Sequence, residues 1–366
     1  MTELLEPARV PQRTRLPLID CDIHVQPKDR DRLARYLPPR WRQQMELFGT
    51  RGASGAYYPR ANEHAARTDA WPPAGGPPGS DLGFLREQLL DRWDIDVGIL
   101  TPLLGTGGQR NLEFGGAYAA AVNDWQLAEW LEPEPRLRGS LVAEYEDPEL
   151  AVREIERLGD DSRFVQVLLS IRTAEPLGRR RYWPLFEAAV RHDLPVAVHF
   201  GGSAGHPITG AGWPSFYYED HSGMPTVFQA QVISLLVEGV FERFPHLRIV
   251  LIEGGFAWLA SLMWRLDDAT RRLHEEVPHL HHAPSFYLRR HFWMTTQPIE
   301  EPERPEQFAT LLRQIGMPDR LMFATDYPHW DFDAPDQALP AALGAAERRA
   351  IRAGNASRLY GLGIEA

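Results

Sequence analysis

Two kinds of hydrophobic run alternate along this chain. Short, nearly continuous stretches rich in Val, Ile and Leu recur as PLIDCDIHV (17–25), DVGILTP (96–102), LRGSLVAEY (137–145), RFVQVLLS (163–170), LPVAVHF (194–200), LRIVLIEGG (247–255), HFWMTT (291–296) and RLMFATDY (320–327). Longer amphipathic stretches separate them: GGAYAAAVNDWQLAEWL, DPELAVREIERLG, RRYWPLFEAAVRHD, PTVFQAQVISLLVEGVFERFP, FAWLASLMWRLDDATRRL, 305–315 and 347–360. The first set predicts strands buried on both faces, and the second predicts helices covering them. DPEL and PERPEQ place an acidic residue and a proline where a helix begins. Strands that are each followed, sooner or later, by a helix predict an α/β fold closed as a (β/α)8 TIM barrel. An open doubly wound sheet is the alternative. The whole chain, 1–366, reads as one such domain, with no internal repeat beyond the strand–helix period.

The pattern breaks once, between residues 26 and 90. That segment carries Tyr36, Trp41, Phe48, Tyr57, Tyr58 and Trp71 together with the stretch WPPAGGPPGSD. A structureless insertion of this length inside a compact domain is usually functional, and its aromatic content predicts a lid after strand 1 rather than a solvated linker. Its Pro/Gly part, 72–80, is expected to be free to move.

In a barrel of this kind chemistry sits where the strands end. Strand 1 ends in Asp22 and His24, two positions apart, so both side chains leave one face about 7 Å apart at a rise of about 3.3 Å per residue. Strand 5 ends in His199, strand 6 in Glu253 and strand 8 in Asp326, each directly after an apolar run. A charge there is costly unless a metal or an ion partner neutralises it. The donor set of carboxylate and imidazole suits a divalent ion such as Zn²⁺, Mn²⁺ or Fe²⁺. Taken singly, each residue has a plainer reading: a core histidine for His199, an arginine-paired rim residue for Glu253, a turn cap for Asp326. Their common register favours the metal site. His329 either contacts substrate or closes the YPHW turn, and His221 is a candidate neighbour of the site or a loop residue. Arg172, after strand 4, either binds a substrate carboxylate or pairs with Glu175. The histidines of PHLHH (278–282) fit an exposed loop better than a metal patch.

Composition narrows the chemistry. A formal net charge of −11 and no basic stripe exclude a nucleic-acid partner. No run of about 18 apolar residues occurs, and the N-terminus lacks the apolar core of a signal peptide, so a cytoplasmic location without membrane contact is expected. The single cysteine, Cys21, excludes internal disulfides and cysteine-rich metal sites. Lys28 is the only lysine among 39 basic residues and lies in the polar segment PKDRDRL, a poor place for a Schiff base. No GxxxxGK[ST] and no GxGxxG follows a strand, so nucleotide chemistry has no support. The partner expected is a small molecule, with pairing into a homodimer as a further possibility for barrels of this type.

The strand-end set resembles the amidohydrolase superfamily, in particular the amidohydrolase-related group that includes aminocarboxymuconate-semialdehyde decarboxylase and the resorcylate-type decarboxylases. NDWQLAEWL, TTQPIEEP, ATDYPHWDFDAP and GNASRLYGL extend the resemblance over nearly the whole chain. It implies that Asp22, His24, His199 and Asp326 bind a catalytic metal, with Asp326 also handling the proton of metal-bound water. Two departures shape the expectation. Strand 1 reads Asp22-x-His24 where much of the superfamily has H-x-H, and strand 6 offers Glu253 where the decarboxylases place a histidine. A glutamate beside a cation stays ionised and is a poor acid for protonating carbon. The superfamily's carboxylated lysine on strand 4 is impossible in RFVQVLLS, so a second metal would have to be bridged by Glu253 or Asp326. The reading that follows is a metal-dependent hydrolase acting on a small acyl compound (amide, ester, lactone or thioester) with an apolar or aromatic portion. A metal-dependent non-oxidative decarboxylase of an aromatic or enoic acid is the alternative, and an inactive binding protein on the same scaffold is the third.

Overall fold

The structure, a computed structural model, describes residues 15–49, 63–104, 107, 109–202, 207 and 211–365. Eight parallel strands lie in sequential order: β1 (Ile19–Ile23), β2 (Val97–Leu100), β3 (Leu137–Val142), β4 (Phe164–Ser170), β5 (Val196–His199), β6 (Ile249–Ile252), β7 (Phe292–Thr295) and β8 (Leu321–Met322). Every residue of β1, β4, β5 and β6 is buried; β5 and β6 accordingly read as apolar runs, whereas β1 (IDCDI) alternates apolar residues with the buried Asp20 and Asp22. The sheet curls round so that β1 meets β8. Cys21 N–H donates to Phe323 O at 3.0 Å, His24 N–H donates to Tyr327 O at 2.7 Å, and Ile23 bridges Tyr327 in parallel. These bonds make a nearly closed (β/α)8 barrel, as the pattern predicts.

β8 is much shorter than the 320–327 run suggests, and the reason is where its N–H groups go. Phe323 donates to Ile351 O in the C-terminal helical segment, Ala324 to the Thr296 hydroxyl, and Thr325 to the Asp20 carboxylate. Side chains and a helix take the bonds that a neighbouring strand would otherwise receive. The helices follow the amphipathic stretches: Leu112–Gln126, Pro148–Leu158, Trp183–Arg191, Pro225–Val237, Trp258–Arg272 and Pro305–Ile315. Two more, Tyr217–Gly223 and Pro284–His291, were not legible in the pattern, being short and rich in polar residues. A small cluster of Ile19, Cys21, Ile99, Leu168, Ala197, Val250 and Ile252 ties the strands to Ala353, Ala356 and Leu359 near the C-terminus, and a larger apolar layer joins strands to outer helices.

The insertion after β1 is partly structured, with helices Arg30–Ala34, Pro39–Phe48 and Leu82–Leu85. Tyr57 and Tyr58 lie outside the described residues. The Pro/Gly stretch is pinned to the end of β1 rather than free: Gln26 N–H donates to Gly79 O at 3.0 Å and the Gln26 amide to Pro78 O at 2.7 Å. Gly79 has φ +73°, and a Cβ there would stand 2.5 Å from His24 O, so the loop needs glycine to approach the strand end this closely. Lys28 reaches Ala74 O at 2.9 Å. Residues 65–67 attach to the turn after β8, where Arg67 N–H meets Pro328 O and Trp330 N–H meets Ala65 O.

Candidate metal centre

Asp22, His24, His199, Glu253 and Asp326 converge at the carboxyl ends of their strands. Asp22, His199 and Asp326 are completely buried, and His24 and Glu253 are 7% exposed. Glu253 and Asp326 share a further property: both have φ +59°, the left-handed region that non-glycine residues rarely adopt. Strain of this kind persists where surrounding contacts over-determine it, and it gathers at functional sites.

The histidine tautomers follow from their neighbours. His24 Nδ1 lies 2.8 Å from Thr101 O, and His199 Nδ1 lies 2.6 Å from Phe200 O. A carbonyl oxygen can only accept, so each Nδ1 carries a proton, and a ring that binds a metal presents the lone pair of its Nε2. Those lone pairs point at oxygens that are also acceptors. His24 Nε2 is 2.8 Å from Asp326 Oδ1 and 3.4 Å from Asp22 Oδ1, while His199 Nε2 is 3.1 Å from Asp22 Oδ2 and 3.4 Å from Glu253 Oε2. His24 Nε2 is buried without a hydrogen bond of acceptable geometry. Such facing groups are reconciled by a cation between them or by a second proton on the ring, which Asp22 favours for His199. Asp22, His24, His199 and Glu253 present one ligand atom each within 4.8 Å, as do His24, Asp326 and His329. The residues present therefore fit a divalent ion with mixed nitrogen and oxygen ligands.

Supporting contacts fix this set. The Thr101 hydroxyl donates to Asp22 Oδ1, and Asp22 N–H donates to Asp20 Oδ1 at 3.2 Å. Asp20 in turn accepts from Thr325 N–H at 2.9 Å and from the Thr325 hydroxyl at 2.5 Å, linking β1 to the residue before Asp326. Burial pushes Asp20 up to about 7, against the lowering effect of the Thr325 bonds. Burial also pushes Glu253 well above the carboxylate range, reinforced by the charges of Asp326, Asp331 and Asp22. For Asp326 burial acts the same way, but the rings of His329 and His24 outweigh it and hold the carboxyl below its usual range. His329 shows the reciprocal effect: burial disfavours its charge, yet Asp326, with Nδ1 to Oδ1 at 2.7 Å, raises it.

His221, on helix Tyr217–Gly223, comes to the same mouth: Nε2 is 3.2 Å from Asp331 Oδ2 and 3.9 Å from Glu253 Oε1. Aromatic rings surround it, with centroids of Trp330, Phe200 and Tyr217 at 5.4, 5.5 and 5.6 Å. Arg172 meets Asp220 at 2.6 Å, while Glu175 is engaged by Arg181 instead. The PHLHH histidines are held in a turn, His279 Nε2 against Val237 O and His281 Nδ1 against Glu242. Among the described residues they join no group of potential metal ligands.

Sequence reasoning missed four contributors. Thr101 is the first polar residue after β2 and stands in the same strand-end register as the ligands, so that rule could have found it. Gln297, after β7, donates to Asp331 Oδ2 at 3.0 Å and approaches Asp326 Oδ2 at 3.3 Å. Asp331 lies within the DYPHWDFD motif but its pairing with His221 crosses the barrel mouth. Tyr217 accepts from Trp330 Nε1 at 3.3 Å, a contact between residues far apart in sequence.

Comparison with known proteins agrees with this geometry. The amidohydrolase family model matches residues 19–362. A gamma-resorcylate decarboxylase of Polaromonas sp. is 30% identical over 317 residues, covering 79% of this chain and 93% of that one. An amidohydrolase of Mycobacterium avium subsp. paratuberculosis superposes with a TM-score of 0.71 at 21% identity, covering 96% of this chain and 98% of its own. A dihydroxybenzoic acid decarboxylase of Polaromonas sp., solved with manganese and the inhibitor 2-nitroresorcinol, gives 0.66 at 22% identity, with coverage of 96% and 98%.

These relatives overturn the hydrolase expectation. The gamma-resorcylate and dihydroxybenzoic acid relatives carry the names of decarboxylases, enzymes that break a carbon–carbon bond, and the argument against that chemistry was the missing histidine on β6. The structure shows why its absence decides nothing: His329 from the β8 turn and His221 from the helix after β5 bring imidazoles to the same mouth. The chain is an enzyme, and it belongs to the amidohydrolase family.

Proposed function

We propose that the chain is a metal-dependent, non-oxidative decarboxylase of a small aromatic acid that carries a hydroxyl beside its carboxylate. One observation supports this above the others: two imidazole lone pairs and the carboxylates of Asp22 and Asp326 face one another in a chain 30% identical to a gamma-resorcylate decarboxylase over 79% of its length. Asp22, His24, His199 and Asp326 would hold the ion, and Mn²⁺, Fe²⁺ or Zn²⁺ each suit such donors. Bound there, the ion supplies the positive charge that draws in the substrate's carboxylate and adjacent hydroxyl.

The chain's own residues account for the rest. In the reaction the bond between ring and carboxylate breaks, its electron pair stays on the ring carbon, and a proton takes the place of the departing CO₂. Asp326 favours the protonated form of His329, whose Nδ1 faces its Oδ1 at 2.7 Å, and that imidazole can release a proton towards the ring carbon. Asp331 holds His221 beside Glu253 as a further polar wall of the mouth. Phe200, Tyr217 and Trp330 offer faces and edges against which an aromatic ring packs in offset or edge-on contact. Thr101 and Phe200 carbonyls keep His24 and His199 in one tautomer throughout.

The test is CO₂ release and formation of the decarboxylated phenol from hydroxybenzoates, beginning with 2,6-dihydroxybenzoate, on Mn²⁺-loaded protein with and without chelator. Release that is lost on chelation and restored by the metal supports the reading. No release from any ortho-hydroxybenzoate by metal-loaded protein would overturn it.

A further inference from the structure

Helix Tyr217–Gly223 carries two groups of the mouth, Tyr217 and His221, one turn apart and therefore on one face. Asp220 is the only buried residue of this helix, while Phe216 just before it and Tyr218 within it are 69% and 79% exposed. Within the helix, then, the anchor is an acidic side chain rather than an apolar one. Asp220 Oδ1 accepts from Arg172 Nη2 at 2.6 Å, and both side chains are more than nine-tenths buried. Glu219, the neighbouring acid, turns back to the helix's own start and accepts from the N–H groups of Ser215 and Phe216 at 2.7 and 2.9 Å. Asp220 is the acid that reaches the barrel.

Arg172 stands on a fixed base at the end of β4. Ile171 N–H donates to His199 O at 2.8 Å and Arg172 N–H to Gly201 O at 3.2 Å. Gln231, on helix Pro225–Val237, donates to Ile171 O at 2.9 Å and to the Thr173 hydroxyl at 2.8 Å, on either side of Arg172. Gly202 has φ +92°, and a Cβ there would stand 2.9 Å from Arg172 O, so the chain after β5 closes on this backbone without a side chain between. Apolar contact is non-directional, whereas a charge-assisted hydrogen bond between buried groups fixes orientation. Consecutive helix residues point about 100° apart, so holding Asp220 against β4 turns His221 towards Asp331 and Glu253. We propose that the Arg172–Asp220 pair is a positioning device: it sets where Tyr217 and His221 meet the substrate ring, and Arg172 is not the group that binds the substrate's carboxylate. The kinetic part of this proposal rests on the decarboxylase reading; the attachment of the helix does not.

Two measurements on the Mn²⁺-loaded full chain decide it: steady-state CO₂ release per folded molecule, below the melting transition, and hydrogen exchange of segment 216–224. Arg172→Gln and Asp220→Asn are expected to behave alike, with kcat down by about ten- to a hundredfold and KM changed by about threefold at most. Exchange in 216–224 should quicken in both while the strands stay protected. Arg172→Lys and Asp220→Glu, which keep both charges, should recover part of kcat. A KM raised by Arg172→Gln alone would make Arg172 a carboxylate ligand and overturn the proposal. Unchanged kcat with a lowered melting temperature would also overturn it, since that marks a purely structural pair. Asp220→Asn, close to isosteric, carries the test if Arg172→Gln does not fold. Should the wild type release no CO₂ from any hydroxybenzoate, the function falls and exchange still decides the clasp: quickening confined to 216–224 in Asp220→Asn supports it, and unchanged protection there overturns it.

Discussion

Two buried polar regions of this barrel are held together in opposite ways. On the outer side of β3, Asn123 from helix Leu112–Gln126 exchanges hydrogen bonds with the Val142 backbone, 2.9 Å to its N–H and 2.8 Å to its carbonyl, and donates to Glu154 Oε1 at 2.7 Å. Arg157 closes on both Glu154 oxygens at 2.7 and 2.9 Å and reaches Asp124 at 2.8 Å. There donors meet acceptors and positive charge meets negative. At the mouth, by contrast, lone pairs of His24 and His199 face the oxygens of Asp22, Asp326 and Glu253, and acidic groups face one another. The first region is complete with protein alone, and the second becomes consistent around a bound cation or protonated rings. Both fall within motifs that carry the family resemblance, so a motif by itself does not distinguish a structural clasp from a site. Whether polar atoms are matched by the chain does.

The sharpest way to break this contrast is to change one carboxylate on each side. Asp326→Asn removes the carboxylate proposed to hold the metal and to keep His329 protonated, and turnover is expected to fall by about a thousandfold. The melting temperature should change little, because asparagine keeps an acceptor oxygen for His329 Nδ1 or Gln297 Nε2. Near-normal turnover would show that the mouth does not work through Asp326. Asn123→Ala should do the reverse, since it leaves the Val142 N–H and carbonyl and the Glu154 oxygen short of partners. A loss of about 1–3 kcal/mol in urea unfolding is expected, with turnover per folded molecule unchanged.

The smallest effect concerns pH. Glu134 is clamped by Arg136 and Arg86, with bonds of 2.9 and 2.7 Å, and those bonds hold its carboxyl down at about 2. The folded value lies below the unfolded one, so the clamp stabilises the protein above the ordinary carboxylate range and that stability drains away as pH falls toward about 2. Melting of the wild type and of Glu134→Gln should therefore converge on acidification through this window. A gap between them that stays constant with pH would show that the clamp works through packing rather than charge.

Much of the fold was readable because buried parallel strands need continuous apolar runs, and the runs from 163–170, 194–200 and 247–255 coincide with β4, β5 and β6 to within a few residues. The ligand candidates were readable for the same reason: Asp22, His199 and Asp326 interrupt or end apolar runs, where an ionised or polar group stands out. β8 was over-read because FATD is apolar enough for a strand, whereas its backbone bonds go to Thr296, Asp20 and Ile351. No local pattern reveals such partners.

The sequence alone determined the barrel, the donor types and the exclusion of lysine and cysteine chemistry, since these depend on residue identity and period. Tertiary structure decided how the donors are used. It joined His221 and Asp331, separated by 110 positions in the chain, across the mouth beside Glu253, and it paired Arg172 with Asp220 rather than Glu175. It also bound the Pro/Gly loop to Gln26, just past β1, through Gly79. A single residue on β6 had suggested one reaction over another. Proton chemistry depends on which groups stand together in space, and the imidazoles that β6 lacks arrive from elements that the linear order keeps apart.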